Sequence, residues 1–186
     1  MTKKNTYTPM MTQYLELKEK HKDEIIFYRL GDFYEMFFDD AKIASQELDL
    51  VLTGKNAGVE ERVPMCGIPH HAANGYIQRL IQKGYKVAIV EQMENPATAK
   101  GLVKRDILKI VTPGTIMDEV NDEKATVYIA SLHDYQFGLA VVLCEMTTGE
   151  MRAQLIDKQV MAIQKVLLGN NVAEIVIEEK FDKKIV

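Results

Sequence analysis

The 186-residue sequence predicts an α+β to α/β protein in two parts. A mixed β-sheet flanked by helices is expected over residues 1–115, a linker over 116–124, and a smaller, partial α/β unit over 125–186. Three observations predict this. Runs of β-branched and aromatic residues alternate with stretches of helical apolar spacing. The turn Thr112-Pro113-Gly114-Thr115 is followed by an almost wholly polar stretch, Asp118 to Lys124, with the composition of an inter-domain connection. Beyond it the order changes to three strands, a helix and a strand, which implies a sheet whose last strand returns by a crossover helix.

The elements follow in order. Thr8 caps a helix with Pro9 at its first position, and Met10, Tyr14, Leu15 and Leu17 mark its apolar stripe to about Lys20. Glu24 to Leu30 is β-branched and aromatic and reads as a strand. Gly31-Asp32 is a short turn, and Phe33 to Phe37 extends again. Asp39-Asp40 suit a helix start, so a helix is predicted from Ala41 to Leu48. Leu50 to Thr53 reads as a short strand, Gly54 to Arg62 as a loop, and Val63 to Pro69 as turn-rich and only partly extended. Ala72 to Lys83 has helical spacing and stops at Gly84. Val87 to Val90 and Lys104 to Val111 read as strands. In the second part, strands are predicted at 127–132, 138–144 and 150–155, with Thr147-Thr148-Gly149 as a hairpin turn. A helix at 160–168 and a strand at 174–177 complete what reads as a truncated α/β unit.

Composition excludes several classes. A chain that is 47% hydrophobic and 27% charged is neither disordered nor collagen-like. The cysteines, Cys66 and Cys144, form no C-x-x-C pair and no disulfide framework, which fits a reducing cytoplasm. No apolar run approaches about 18 residues, so no membrane span is expected, and the polar N-terminus lacks a signal-peptide core. Residues 1–115 hold 16 Lys and Arg against 15 Asp and Glu, a net of +1; residues 116–186 hold 7 against 12, a net of −5. The strongly basic footprint of most nucleic-acid binders is absent, so any DNA contact must be local or assisted from elsewhere.

The stretch richest in chemistry is Gly31-Asp32-Phe33-Tyr34-Glu35-Met36-Phe37. On an extended strand Phe33 and Glu35 share a face, a planar apolar ring about 7 Å from a carboxylate. A Phe can wedge between base steps or stack on an unpaired base. A neighbouring carboxylate can take a hydrogen bond from a base edge while repelling phosphates. The commoner fate of such a pair is packing for the ring and solvent for the acid, and on pattern alone that reading prevails. Lys55, Lys100, Lys104, Arg105 and Lys109 are candidate phosphate contacts, each equally readable as solvated charge. Met65, after a proline in a turn, is a candidate minor-groove contact or a core methionine.

Other chemistries fit less well. Gly54-Lys55 is similar to the end of a phosphate-binding loop, yet Asp49 stands where its first glycine belongs and Asn56 replaces its Ser/Thr. Asp32, Glu35, Asp39 and Asp40 lack the spacing of a metal-dependent nuclease. His70-His71 are adjacent, with no further ligand nearby for zinc.

Five ordered blocks carry a family resemblance: Gly31 to Phe37; Ala44-Ser45-Gln46-Glu47-Leu48-Asp49; Val63 to Ala72; Val90-Glu91-Gln92-Met93-Glu94-Asn95-Pro96; and Val111-Thr112-Pro113-Gly114-Thr115. Together they resemble the N-terminal mismatch-recognition domain of the MutS family of DNA mismatch-repair proteins, and residues after about 125 resemble the start of that family's RNase-H-like connector. The resemblance implies that Phe33 stacks on a mismatched base and that Glu35 hydrogen-bonds the same base; Lys55, Met65 and Lys109 join them as expected DNA contacts from the residue reading alone. It implies mismatched double-stranded DNA, other domains of the same protein and a MutL-type protein as partners, a homodimer at full length, and a bacterial cytoplasmic, nucleoid-associated setting. It also implies that ATP and Mg are needed only by an ATPase domain outside this chain, which is itself expected to be no enzyme and to carry no cofactor. The other function the sequence allows is a protein-interaction scaffold with negligible DNA binding of its own.

Overall fold

The structure, a computed structural model, describes residues 6–94, 99, 101–115 and 126–182. It divides into two compact units, Met1–Thr112 and Pro113–Val186. The predicted linker at 116–124 lies outside the described residues, as do Lys100 and the Asn95-Pro96 end of one of the sequence blocks.

The first unit is a six-stranded mixed sheet. In chain order its elements are α1 (Pro9–Lys20), β1 (Glu24–Leu30), β2 (Phe33–Phe37), α2 (Phe38–Leu48), β3 (Thr53–Lys55), β4 (Val63–Pro69), α3 (Ala73–Gln82), β5 (Lys86–Gln92) and β6 (Arg105–Val111), with a 3-10 turn at His70–Ala72. The strands lie in the order β3-β4-β2-β1-β5-β6. Only β1 and β5 are parallel, and they are the pair joined through helices. Alternation along the strands sends Ile26, Tyr28, Phe37, Val63, Ala88 and Val90 to one face, where they pack with Met11 and Tyr14 of α1. The opposite set, including Phe27, Met36, Cys66 and Ile89, is buried on the face that α2 and α3 cover with Ala41, Ala44, Leu48, Ile77, Leu80 and Ile81.

A buried polar knot ties α1 to both neighbours. Asp40, 2% exposed, accepts from Tyr14 Oη at 2.9 Å and from the Ile26 N–H at 3.0 Å, and pairs with Lys18 Nζ at 2.8 Å. Burial and the adjacent Asp40 charge both drive the Tyr14 phenol well above its ordinary range, so it stays a donor at any accessible pH. Cys66, buried with its Sγ 3.4 Å from the Ala41 carbonyl, is a free thiol that burial pushes up to about 12.

Three sequence expectations are corrected here. Helix α2 begins at Phe38 instead of Ala41, because Phe38 takes a left-handed conformation (φ 54°) that turns the chain straight from strand to helix; Asp40 then points into the core instead of capping. The short strand lies at Thr53–Lys55, not Leu50–Thr53, since only there does the chain run beside β4; Val51 is left 80% exposed. Val63–Pro69 is a full seven-residue strand lying between β3 and β2. Its two prolines are tolerated because Pro69 is its last residue and Pro64 its second, beside a three-residue edge strand.

The second unit holds β7 (Tyr128–Tyr135), β8 (Gly138–Glu145), β9 (Met151–Ile156), α4 (Val160–Gly169) and β10 (Val172–Ile177). Its sheet order is β10-β7-β8-β9, with β10 parallel to β7 and the other pairs antiparallel. Tyr128, Leu132, Leu139, Val141, Leu143 and Ile163 form its core. The Glu145 carboxylate closes the β8–β9 turn by accepting from the hydroxyls and backbone N–H groups of Thr147 and Thr148, which lowers it from 4.5 to about 2.

Candidate nucleic-acid interface

The β1–β2 hairpin is the origin of the site. Its turn is only Gly31-Asp32, and Gly31 sits at φ 57°, which a side chain would resist. The turn is held from three sides. The Arg29 guanidinium donates to the Gly31 carbonyl at 2.5 Å. The His70 backbone N–H donates to the Asp32 carbonyl at 2.9 Å, with His70 Nδ1 3.1 Å from the same oxygen. On the α2–α3 face, Tyr34 donates to Glu91, and Arg29 lies 5.6 Å over the Tyr34 ring and 3.5 Å from Glu91. Burial, then the Glu91 acceptor, pushes the Tyr34 phenol up to about 12. The first residue after this braced turn is Phe33.

Phe33 pairs with Leu30 on one side and Pro69 on the other, yet its side chain is 48% exposed. Phe37, four residues along the same strand on the same face, is 0% exposed and packs edge-on to Tyr14 at 5.0 Å. Glu35 lies between them on that face, opposite Tyr28 and Gly67. Its carboxylate accepts from Lys55 Nζ, and the two side chains are 18% and 28% exposed. Lys55 Nζ also lies 5.5 Å over the Phe37 ring. Met65 faces the same side of the sheet, opposite Phe37, and is partly buried against the core.

Phe33, Glu35, Lys55 and Met65, far apart in sequence, thus share one face. Lys109 does not: it registers with Ile89, whose side chain belongs to the α2–α3 face, on the edge strand at the other end of the sheet. Lys104 and Lys109 are exposed. Arg105, offered as a phosphate contact, is 7% exposed and committed inward: Nε donates to the Arg29 carbonyl at 2.8 Å, and the guanidinium lies 5.1 Å over the Tyr28 ring. Two contributors escaped the sequence reading. One is the bracing group of Arg29, His70 and Glu91, for which no local signal exists. The other is Gly67, a glycine inside a strand, which is a legible mark of close approach.

The acidic residues do not assemble as metal ligands. Asp39 pairs with Lys42, Asp40 with Lys18 and Glu35 with Lys55. Among the described residues no three His, Cys, Asp or Glu side chains gather closely enough to hold an ion, and no helix is long and apolar enough to cross a membrane.

The mixed sheet flanked by helices agrees with comparison to known proteins. The family model described as MutS domain I matches residues 8–120, and the chain belongs to that family. It is 59% identical over 144 residues to the DNA mismatch repair protein MutS of Acetivibrio thermocellus, covering 77% of this chain and 17% of that protein. It is 50% identical over 183 residues to the protein of the same name from Caldanaerobacter subterraneus subsp. tengcongensis, covering 97% and 21%. With that of Clostridium tetani it shares 51% over 182 residues, covering 96% and 20%. The chain spans about a fifth of the length of the curated relatives it matches.

Proposed function

We propose that residues 1–112 are the mismatch-recognition part of a DNA mismatch-repair protein, with Phe33 as the wedge and Glu35 as the base-reading carboxylate. The observation that carries this is the exposure of Phe33 on a strand whose next same-face aromatic, Phe37, is wholly buried. A ring left half in water on a braced turn has a face free to stack. A mismatched or unpaired site costs less to unstack and bend than paired duplex, so deformability is the property read. Unstacking costs a few kcal/mol per step, so one wedge needs other contacts to hold the DNA bent. Lys104 and Lys109 are offered as backbone contacts made by a different region of the sheet from the wedge. Met65 supports the floor of the recognition face.

In this reading the second unit is the opening half of an RNase-H-like connector. Its antiparallel meander, crossover helix and fourth strand parallel to the first support that assignment. Mismatched DNA, other domains of the same protein, a second subunit and a MutL-type protein are the partners, and ATP with Mg serves a domain outside this chain. The near-neutral charge of residues 1–115 favours a specific alternative for the isolated chain: a docking scaffold with negligible DNA affinity.

Fluorescence anisotropy on a mismatched and a matched duplex tests the proposal, using the chain alone and a full-length MutS protein that carries it. Phe33→Ala is expected to abolish the preference at full length while the fold survives, and Glu35→Ala to reduce preference more than total affinity. Equal preference before and after Phe33→Ala refutes the wedge. Absence of binding by the chain alone, with the full-length effects intact, assigns the isolated segment to the scaffold reading.

A further inference from the structure

We propose that Lys55 is a positioning residue that masks the charge of Glu35 until a DNA phosphate takes the lysine away. The proposal rests on the reading of Phe33 and Glu35 given above. Glu35 and Lys55 are separated by a whole strand: Lys55 ends β3, Glu35 is on β2, and β4 runs between them. Two strand spacings are about 10 Å; Lys55 registers with Val63 of β4 and Glu35 with Gly67, so the lysine reaches diagonally along the shared face. At Gly67, beside Glu35, a Cβ would come within 3.3 Å of the Tyr34 carbonyl and 3.5 Å of Glu35 Cγ. Below it lies the Phe37 ring, over which the ammonium sits at 5.5 Å. The Phe37 ring beneath the ammonium and the space left beside Glu35 by Gly67 frame the contact between the Lys55 ammonium and the Glu35 carboxylate.

The consequence is electrostatic. A bare carboxylate on a DNA-facing surface repels the phosphate backbone of every duplex, matched or not. Residues 1–115 carry a net charge of only +1, so little elsewhere in that stretch offsets such repulsion. Paired to Lys55, Glu35 presents a neutral dipole. A phosphate drawn close by the wedge competes for the same ammonium. Lys55 exchanges one anion for another, and Glu35 is freed to accept from a base-edge N–H. Where the duplex does not open, no base edge reaches Glu35 and the exchange leaves an unpaired carboxylate beside phosphate. The exchange therefore adds to the discrimination that the wedge begins.

A double-mutant cycle between positions 55 and 35, in a full-length MutS protein carrying this chain, tests this by DNA affinity against salt concentration. Thermal melts confirm that each variant folds. With Glu35 present, Lys55→Met is expected to weaken binding to both duplexes about fivefold, the upper range for one partly screened charge pair. In a Glu35→Gln background the same change costs less, because it removes one phosphate contact without leaving a bare carboxylate. Glu35→Gln alone is expected to tighten matched-duplex binding and steepen the salt dependence by about 0.9 in log-log slope, one added phosphate contact. The steepening disappears in the double variant. Lys55→Gln, equally uncharged, repeats the cycle without the methionine's packing. An equal penalty for Lys55→Met in both backgrounds makes Lys55 a plain phosphate contact or strand latch and overturns the proposal. If Phe33→Ala still abolishes mismatch preference in that case, the recognition reading stands and only the role of Lys55 falls. If Phe33→Ala leaves the preference intact, both fall.

Discussion

Phe33 and Phe37 share a strand and a face, and truncating each to alanine is expected to have opposite consequences. Complete burial of a Phe makes its truncation cost about 3–5 kcal/mol. Phe37 is 0% exposed and meets Tyr14 at 5.0 Å, Tyr28 at 6.3 Å and the Lys55 ammonium at 5.5 Å, so Phe37→Ala takes the full cost. Phe33 is 48% exposed, so about half its contacts are already lost to water and Phe33→Ala costs about 1.5–2.5 kcal/mol. For a unit of this size, 1 kcal/mol moves the melting temperature by about 4–8 °C. Because one slope applies to both variants, calorimetry should show a loss for Phe37→Ala about twice that for Phe33→Ala, with urea midpoints in the same order. Mismatch preference reverses that order relative to stability. A base stacked on an aromatic side chain is worth about 1–3 kcal/mol, roughly 5- to 150-fold in affinity, and Phe33 alone of the two has a face to offer. Equal destabilisation by the two variants, or a Phe33→Ala protein that keeps its preference, refutes the reasoning.

The buried Asp40 knot predicts a graded pair of variants in urea unfolding. Asp40→Ala orphans the Ile26 N–H, leaves the Tyr14 hydroxyl only the Phe37 carbonyl and should cost about 3–5 kcal/mol, while Asp40→Asn keeps an acceptor and should cost clearly less, because Lys18 retains the Lys22 and Glu24 carbonyls. Gly67→Ala places a methyl 3.3 Å from the Tyr34 carbonyl and 3.5 Å from Glu35 Cγ, so β4 or Glu35 must give; mismatch preference should fall more than thermal stability, and a purely thermal defect would count against Glu35 as the base-reading group. Glu145 predicts a pH dependence for the second unit. Its folded-state proton affinity lies below the unfolded one, so its stabilisation is complete above about pH 4.5 and is lost as pH falls toward 2. Glu145→Gln should flatten the acid limb of the melting-temperature profile, and an unchanged limb would contradict the assignment.

Much of the fold was legible because local physics decides it. Thr8-Pro9 starts α1 where its cap chemistry requires, with the Thr8 hydroxyl accepting from the Met11 N–H at 3.4 Å. The alternation in Glu24 to Phe37 and the helical spacing of Ala73 to Ile81 settle which face each residue buries. The site was legible only as a list of candidates. Period-2 alternation places Phe33, Glu35 and Phe37 on one face but treats the two rings alike. Which ring is covered depends on where α1 lies, and that is a long-range packing decision. Lys55 and Arg105 show the same limit for charge. The sequence marks both as cations that could hold phosphate. Tertiary structure spends Arg105 on a backbone carbonyl beneath the hairpin and sets Lys55 across β4 onto Glu35.

By itself, the order of residues determined most of the elements and the family, since each depends on neighbours within a few turns or on ordered blocks. Only the tertiary structure decided that β4 lies inside the sheet despite its prolines, that β1 and β5 run parallel, and that one aromatic ring of a pair stays in water. Those outcomes hang on contacts between residues 20 to 76 positions apart, whose energies local pattern does not encode.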